Sequence, residues 1–258
     1  MEENILICED SLEGIFTAIY TAYEKHYVPE KTGIQTSEEG NLRLFATYEQ
    51  IEPDVERSEK VARTLRRRFG EEGFLLLCQA LASGDPEKAT AVYRTIAKGL
   101  RLQQSYRIFD RHADPDVGKV QKLKLNTWNE VHHLFGFLRF RELEGSILFS
   151  EIEPKNNILT FLAEHFADRF PGEHFLIYDV GRKLFAVHEG GKPWFLARIP
   201  EFDKAAVKES EEEMRYQELF RHFCHKIAIK ERCNENLQRN MLPLRFRPYM
   251  TEFQEEKL

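Results

Sequence analysis

The sequence predicts an α+β protein: a mainly antiparallel sheet of about five to seven strands packed with helices. Three observations predict it. Short period-two segments occur near the start of the chain and again between Phe137 and Ile199. Helical periodicity runs almost unbroken from Asp54 to Phe135, which places a long helical block between the second and third strands. From Asp203 the pattern is helical again, up to Asn234. The chain has 258 residues, 42% hydrophobic and 31% charged, with 20 Phe, and it suffices to bury a sizeable core. It reads as a single domain over 1–258, with the helical block at 54–135 and a C-terminal helical segment and tail at 201–258. The alternative is two domains divided near Phe135.

Element by element, Ile5, Leu6 and Ile7 form an opening strand, and Ser11 caps a helix whose Leu12, Ile15, Phe16, Ile19, Tyr20 and Tyr23 recur at helical spacing. The stretch from Pro29 to Gly40 reads as a loop, and Leu42, Leu44 and Ala46 alternate with Arg43, Phe45 and Thr47 as a second strand. Within the helical block, Asp85-Pro86-Glu87 and Asp114-Pro115-Asp116 each supply a cap, a proline at the first helical position and an acid in the first turn. Phe137–Leu143 and Ser146–Ile152, joined at Glu144-Gly145, form a β-hairpin. A helix from about Asn156 follows, ended by Pro171-Gly172. Phe175–Tyr178, Leu184–His188 and Trp194–Ile199 then read as an antiparallel meander, because short connections cannot join parallel strands.

Composition excludes disorder and fibre. The net charge of −6, from 37 Lys and Arg against 43 Asp and Glu, argues against nucleic-acid binding through bulk charge but leaves local patches open. No apolar run approaches the ~18 residues that span a bilayer, and MEENILICEDS lacks the basic and apolar regions of a secretion signal. A cytoplasmic location and no membrane partner are therefore expected. Four cysteines without a CxxC pair suit a reducing compartment.

Three groups of residues carry candidate chemistry. Around Ser58–Phe69, Val61, Ala62, Leu65 and Phe69 share one helix face while Lys60, Arg63, Arg66 and Arg67 cover the other. That side is either a solvated face or a set of phosphate contacts giving salt-sensitive binding. Between Arg215 and Arg247 eight Lys and Arg, among them Arg232 and Arg245, meet three Glu, with Phe246 and Tyr249 placed to stack on bases or to plug a core. The third group runs from Trp128 to Glu142. There Glu130, His132 and His133 lie on a helix leading into a strand that carries Arg139 and Arg141 on one side. If these converge, Glu130 and His132 can serve as acid and base, and His133 with the two guanidiniums as phosphate ligands; the other reading is an ion pair with surface histidines.

His222, Cys224, His225 and Cys233 match metal ligands in type but not in spacing, so no metal site is expected. Asp179 and Arg182 bracket a turn, where an Asp that bonds turn amides is the ordinary reading. With no phosphate loop, dinucleotide fingerprint or iron–sulfur cysteine triad, no cofactor is expected.

Glu130-Val-His-His-Leu-Phe-Gly-Phe-Leu-Arg-Phe-Arg-Glu142, Ile152-Glu-Pro, the Leu162–Arg169 helix, Phe175-Leu-Ile-Tyr-Asp179 and Ile227–Asn234 together resemble the bacterial family named "probable DNA metabolism protein". Ser11-Leu-Glu-Gly and Leu237-Gln…Pro243-Leu-Arg-Phe246 extend the resemblance over nearly the whole chain. The sequence departs from the family's pattern at His133, where a basic residue is favoured, and in Leu242-Pro-Leu-Arg-Phe246, where Met-Pro-x-Arg-Tyr is. The resemblance implies a role in DNA repair or modification beside a radical-SAM protein encoded with it, and relatives fused to uracil-DNA glycosylase-like domains. It implies no activity, and any iron–sulfur cluster would belong to the partner. The expectation is a DNA-binding accessory protein, its DNA single- or double-stranded. A nucleic-acid hydrolase or base-processing enzyme using Glu130/His132 with Arg139/Arg141, and a protein-interaction adaptor, are the alternatives.

Overall fold

A computed structural model describes residues 3–36, 45–199, 202, 208–227 and 234–253. The chain is a mixture of helices and strands that divides into two compact units, residues 1–129 and 130–258.

In the first unit β1 (Glu3–Cys8), β2 (Thr32–Gln35) and β3 (Ala46–Ile51) form a three-stranded sheet in the order β2-β1-β3, with both pairings parallel. Between β1 and β2 runs α1 (Leu12–Glu24), capped as expected by Ser11, whose Oγ accepts from the Gly14 N–H at 3.0 Å. Gly14 is required by close approach: a Cβ there would sit 2.6 Å from the Glu9 carbonyl oxygen. Next come α2 (Val55–Leu81), α3 (Lys88–Leu100), a 3-10 turn at Ser105–Asp110 and α4 (Pro115–Phe137), which continues into the second unit. Asp114 caps α4, its Oδ1 accepting from the N–H groups of Asp116 and Val117 at 3.0 and 3.3 Å. Leu6, Ile15, Ile34, Leu65, Leu77 and Tyr93 are fully buried in the core of this unit. Each such side chain stabilises the fold by about 1.5–3 kcal/mol relative to exposure. Lys88, also buried, keeps its charge matched by Asp10 at 2.5 Å.

The second unit holds β4 (Arg141–Leu143), β5 (Ile147–Ile152), α5 (Leu159–Arg169), β6 (His174–Asp179), β7 (Leu184–His188), β8 (Phe195–Ala197), α6 (Glu211–Ile227) and α7 (Glu235–Met241), then 3-10 turns at Leu244–Tyr249 and Thr251–Phe253. Its five-stranded sheet runs β4-β5-β6-β7-β8. Phe149, Tyr178, Phe185 and Phe202 pack together on one side. Phe140 joins the ring of Phe175 to those of Phe166 and Phe170.

The hairpin β4–β5 and the meander β6–β7–β8 are antiparallel, as their short connections require. Two expectations are corrected. There are two small sheets rather than one, and in place of a mainly antiparallel sheet the first is parallel throughout and the second is mixed, with β5 pairing β6 in parallel. For β1–β2 and β5–β6 the reason is the same, since α1 and α5 are crossover helices that return the chain to the starting end of its strand. The helical block also follows the third strand, because Thr32–Gln35, read as loop, is a strand. Of the expected Leu42–Thr47 strand, residues 42–44 lie outside the described residues, and β3 occupies Ala46–Ile51. Among the described residues no helix is long and apolar enough to cross a membrane.

Candidate nucleic-acid interface

In the last turns of α4, Glu130 and His132 lie two residues apart, about 200° around the helix, so they do not share a face. Glu130 is 3% exposed and its carboxylate is fully engaged. Oε1 accepts from the Lys155 N–H at 3.0 Å and pairs with Arg245 Nη2 at 2.8 Å; Oε2 accepts from the Asn156 N–H at 2.9 Å and from Asn156 Nδ2 at 2.7 Å. His132 is exposed, edge-on to Phe135, and His133 forms a three-ring cluster with Phe137 and Phe246. The two proposed acid/base residues are therefore not brought together, and the carboxylate acts as an anchor for the loop after β5.

Arg139 lies in the link between α4 and β4, not on a strand, because α4 runs on to Phe137 and β4 begins only at Arg141. Its Nε and Nη2 bond Glu252 at 3.3 and 2.8 Å, and its Nη1 donates to the Gly136 and Leu138 carbonyls. Arg141 bridges Glu209 and Glu151, both at 2.7 Å, with its guanidinium over the Phe149 ring. Both forks are thus committed to carboxylates.

The turn between β6 and β7 is as the sequence suggests, with Asp179 bonding a turn amide, but it does more, because its arginine reaches the loop held by Glu130. Asp179, completely buried at the end of β6, accepts from the Arg182 N–H and pairs with its guanidinium at 3.0 Å. Arg182 then donates to the carbonyls of Pro154 and Lys155 at 3.1 and 3.0 Å. Lys155 is consequently held through its N–H by Glu130 and through its C=O by Arg182. The spacing of positions 179 and 182 announces the turn but not the contacts of Arg182 with Pro154 and Lys155, which are distant in sequence. Beside this node Tyr249 donates to Glu153 at 2.6 Å; burial, then that bond, pushes its phenol above the usual range.

The basic face of α2 differs. Lys60, Arg63, Arg66 and Arg67 are all exposed. Lys60 is paired within the helix to Glu56 at 2.7 Å, and Arg66 lies near Glu71 and over the Phe74 ring. Arg63 reaches the Glu59 carbonyl at 3.4 Å, and Arg67 has no partner among the described residues. At the end of this face Gly70, with φ 75° and ψ 171°, kinks α2. An open cavity of about 890 Å³ lies there, between the kink and the Ser105–Asp110 turn.

Arg232 and Cys233 lie outside the described residues, and Arg245 is occupied by Glu130. Among the described residues no group of three or more His, Cys, Asp or Glu is placed to hold a metal ion. Burial pushes the thiols of Cys8 and Cys78 up to about 12, which makes them inert rather than ligand-like.

The model of a family described as a domain of unknown function, DUF4130, matches residues 86–252. The chain belongs to this family. No curated protein gives a significant match. The DUF4130 range contains Glu130, Arg139, Arg141, Asp179, Arg182 and Arg245, so this ion-pair system belongs to the matched segment. The basic face of α2 precedes that range, although the Ser105–Asp110 side of the cavity falls within it.

Proposed function

We propose that this DUF4130 protein is a DNA-binding accessory protein that contacts phosphates through the exposed basic face of α2. One contrast carries the reading. Arg139, Arg141 and Arg245 each have a carboxylate at 2.8 Å or closer, whereas on the exposed face of α2 Arg63 and Arg67 have none among the described residues, and Lys60 and Arg66 meet theirs, Glu56 and Glu71, at the exposed surface. A phosphate must displace an existing anion to reach the first group, but only water to reach Arg67. The resemblance to a DNA-metabolism family supports DNA as the nucleic acid and a radical-SAM protein as the companion enzyme. The test is a titration of labelled single-stranded and duplex DNA at several salt concentrations. Binding that weakens steeply with salt supports the reading; no binding at low salt, with and without the companion, overturns it.

A second reading, protein adaptor, is favoured by α6. Tyr216, Leu219, Phe220 and Phe223 stand at i, i+3, i+4 and i+7, and all four are exposed. If this stripe docks the companion enzyme, Leu219→Glu abolishes co-purification of the two proteins and leaves DNA affinity unchanged. Retained co-purification sinks the adaptor role.

A further inference from the structure

The cavity at the Gly70 kink has walls fixed from both sides. Arg68 donates to the carbonyls of Leu100 and Leu102 at 3.3 Å and to Ser105 Oγ at 3.1 Å. Phe109 packs so closely on Gly73 that a Cβ there would lie 2.9 Å from the ring. The Ser105–Asp110 turn is thereby clamped beside the kink, and a preformed opening of about 890 Å³ remains. That size is within the range of small-molecule sites, ~300–1,000 Å³.

The lining chemistry selects among ligands. Arg67, exposed and without a protein partner among the described residues, ends the basic face of α2 at the cavity. Glu71, Glu72 and Asp110 also line it, and three carboxylates disfavour a phosphate inside. The carboxamides of Gln103 and Gln104 offer both donors and acceptors. Tyr106, 51% exposed as a residue, is held by its own hydroxyl, which donates to Gln104 Oε1 at 3.0 Å. A flat, neutral group with mixed hydrogen-bonding edges fits such a lining, with its attached phosphate left outside at Arg67.

We infer that the cavity receives an unpaired base of single-stranded DNA, with Tyr106 as the stacking surface and Arg67 on the adjoining phosphate. This rests on the DNA-binding reading of α2 and adds that single strands are preferred, because paired bases have no free face to offer. Stacking on an aromatic ring is sequence-tolerant, so no base identity is required.

The experiment measures anisotropy of a labelled oligothymidine and a labelled hairpin duplex of equal phosphate number, titrated with the full chain. The wild-type protein is expected to favour the single strand. Tyr106→Ala should weaken single-strand binding by about ten- to a hundredfold, leave duplex binding and the salt slope unchanged, and melt at the wild-type temperature. Tyr106→Phe, which keeps the ring, should retain most of the affinity. Equal loss on both DNAs, or no loss on the single strand, overturns the base pocket while the α2 reading stands. Failure of the wild-type protein to bind either DNA overturns both.

Discussion

Arg245 Nη2 lies 2.8 Å from Glu130 Oε1, so the 3-10 turn near the C-terminus is tied to a carboxylate buried at the end of α4. That carboxylate also accepts from Lys155 and Asn156. Replacing Glu130 by Ala strands three N–H donors and a guanidinium at once. The expected cost is about 3–5 kcal/mol, as for breaking a buried pair. Denaturant unfolding of Glu130→Ala and Arg245→Ala, with the double variant closing the cycle, measures the coupling. DNA affinity of the folded protein should not change.

Arg141 joins β4 to Glu151 on β5 and to Glu209. Lysine keeps the charge but reaches only one carboxylate at a time. We expect Arg141→Lys to cost about 1–2 kcal/mol, between the values for exposed and buried pairs. The melting temperature should fall while DNA binding and its salt slope stay as they were, and a loss of affinity in the folded variant would return Arg141 to the binding surface.

Acid should loosen the first unit through Asp114. Burial raises its carboxyl, but bonds from Lys98 at 2.7 Å and from the N–H groups of Val117 and Asp116 outweigh this and hold it below the usual range. A depressed folded value means stability that is present above about pH 4 and lost as pH falls through the folded pKa. Asp114→Asn should therefore unfold more easily at pH 7 and show a flatter acid limb, read from denaturation midpoints between pH 7 and pH 2.

Gly70 occupies a φ/ψ region that side chains essentially do not adopt, yet a Cβ there would meet nothing within 4 Å. Gly70→Ala should cost about 1–3 kcal/mol from backbone strain alone. An unchanged unfolding free energy would show that the kink is not required by the fold.

Much of the fold is legible in the sequence because its signals are local. Ser11 and Asp114 sit where they cap, and the Phe175–Ile199 meander has connections too short for anything but antiparallel pairing. Thr32–Gln35 escapes notice because four residues, three of them buried, show no alternation. The parallel β5–β6 pairing was implied by the helix between them, but periodicity reports elements and not their partners. The candidate site was the least legible part. Periodicity places Arg139 and Arg141 near each other, while the acids that occupy them, Glu252 and Glu209, arrive from the far end of the chain. Long-range ion pairing leaves no trace in local spacing.

The most direct test of the account compares salt slopes for duplex DNA binding among the wild-type protein, Lys60→Ala/Arg63→Ala/Arg67→Ala and Arg139→Lys/Arg141→Lys. If α2 is the phosphate-binding surface, the first variant flattens the slope by about 0.9 for each phosphate no longer neutralised, and the second matches the wild-type slope. A triple variant with the wild-type slope, or a flattened slope in Arg139→Lys/Arg141→Lys, would contradict it.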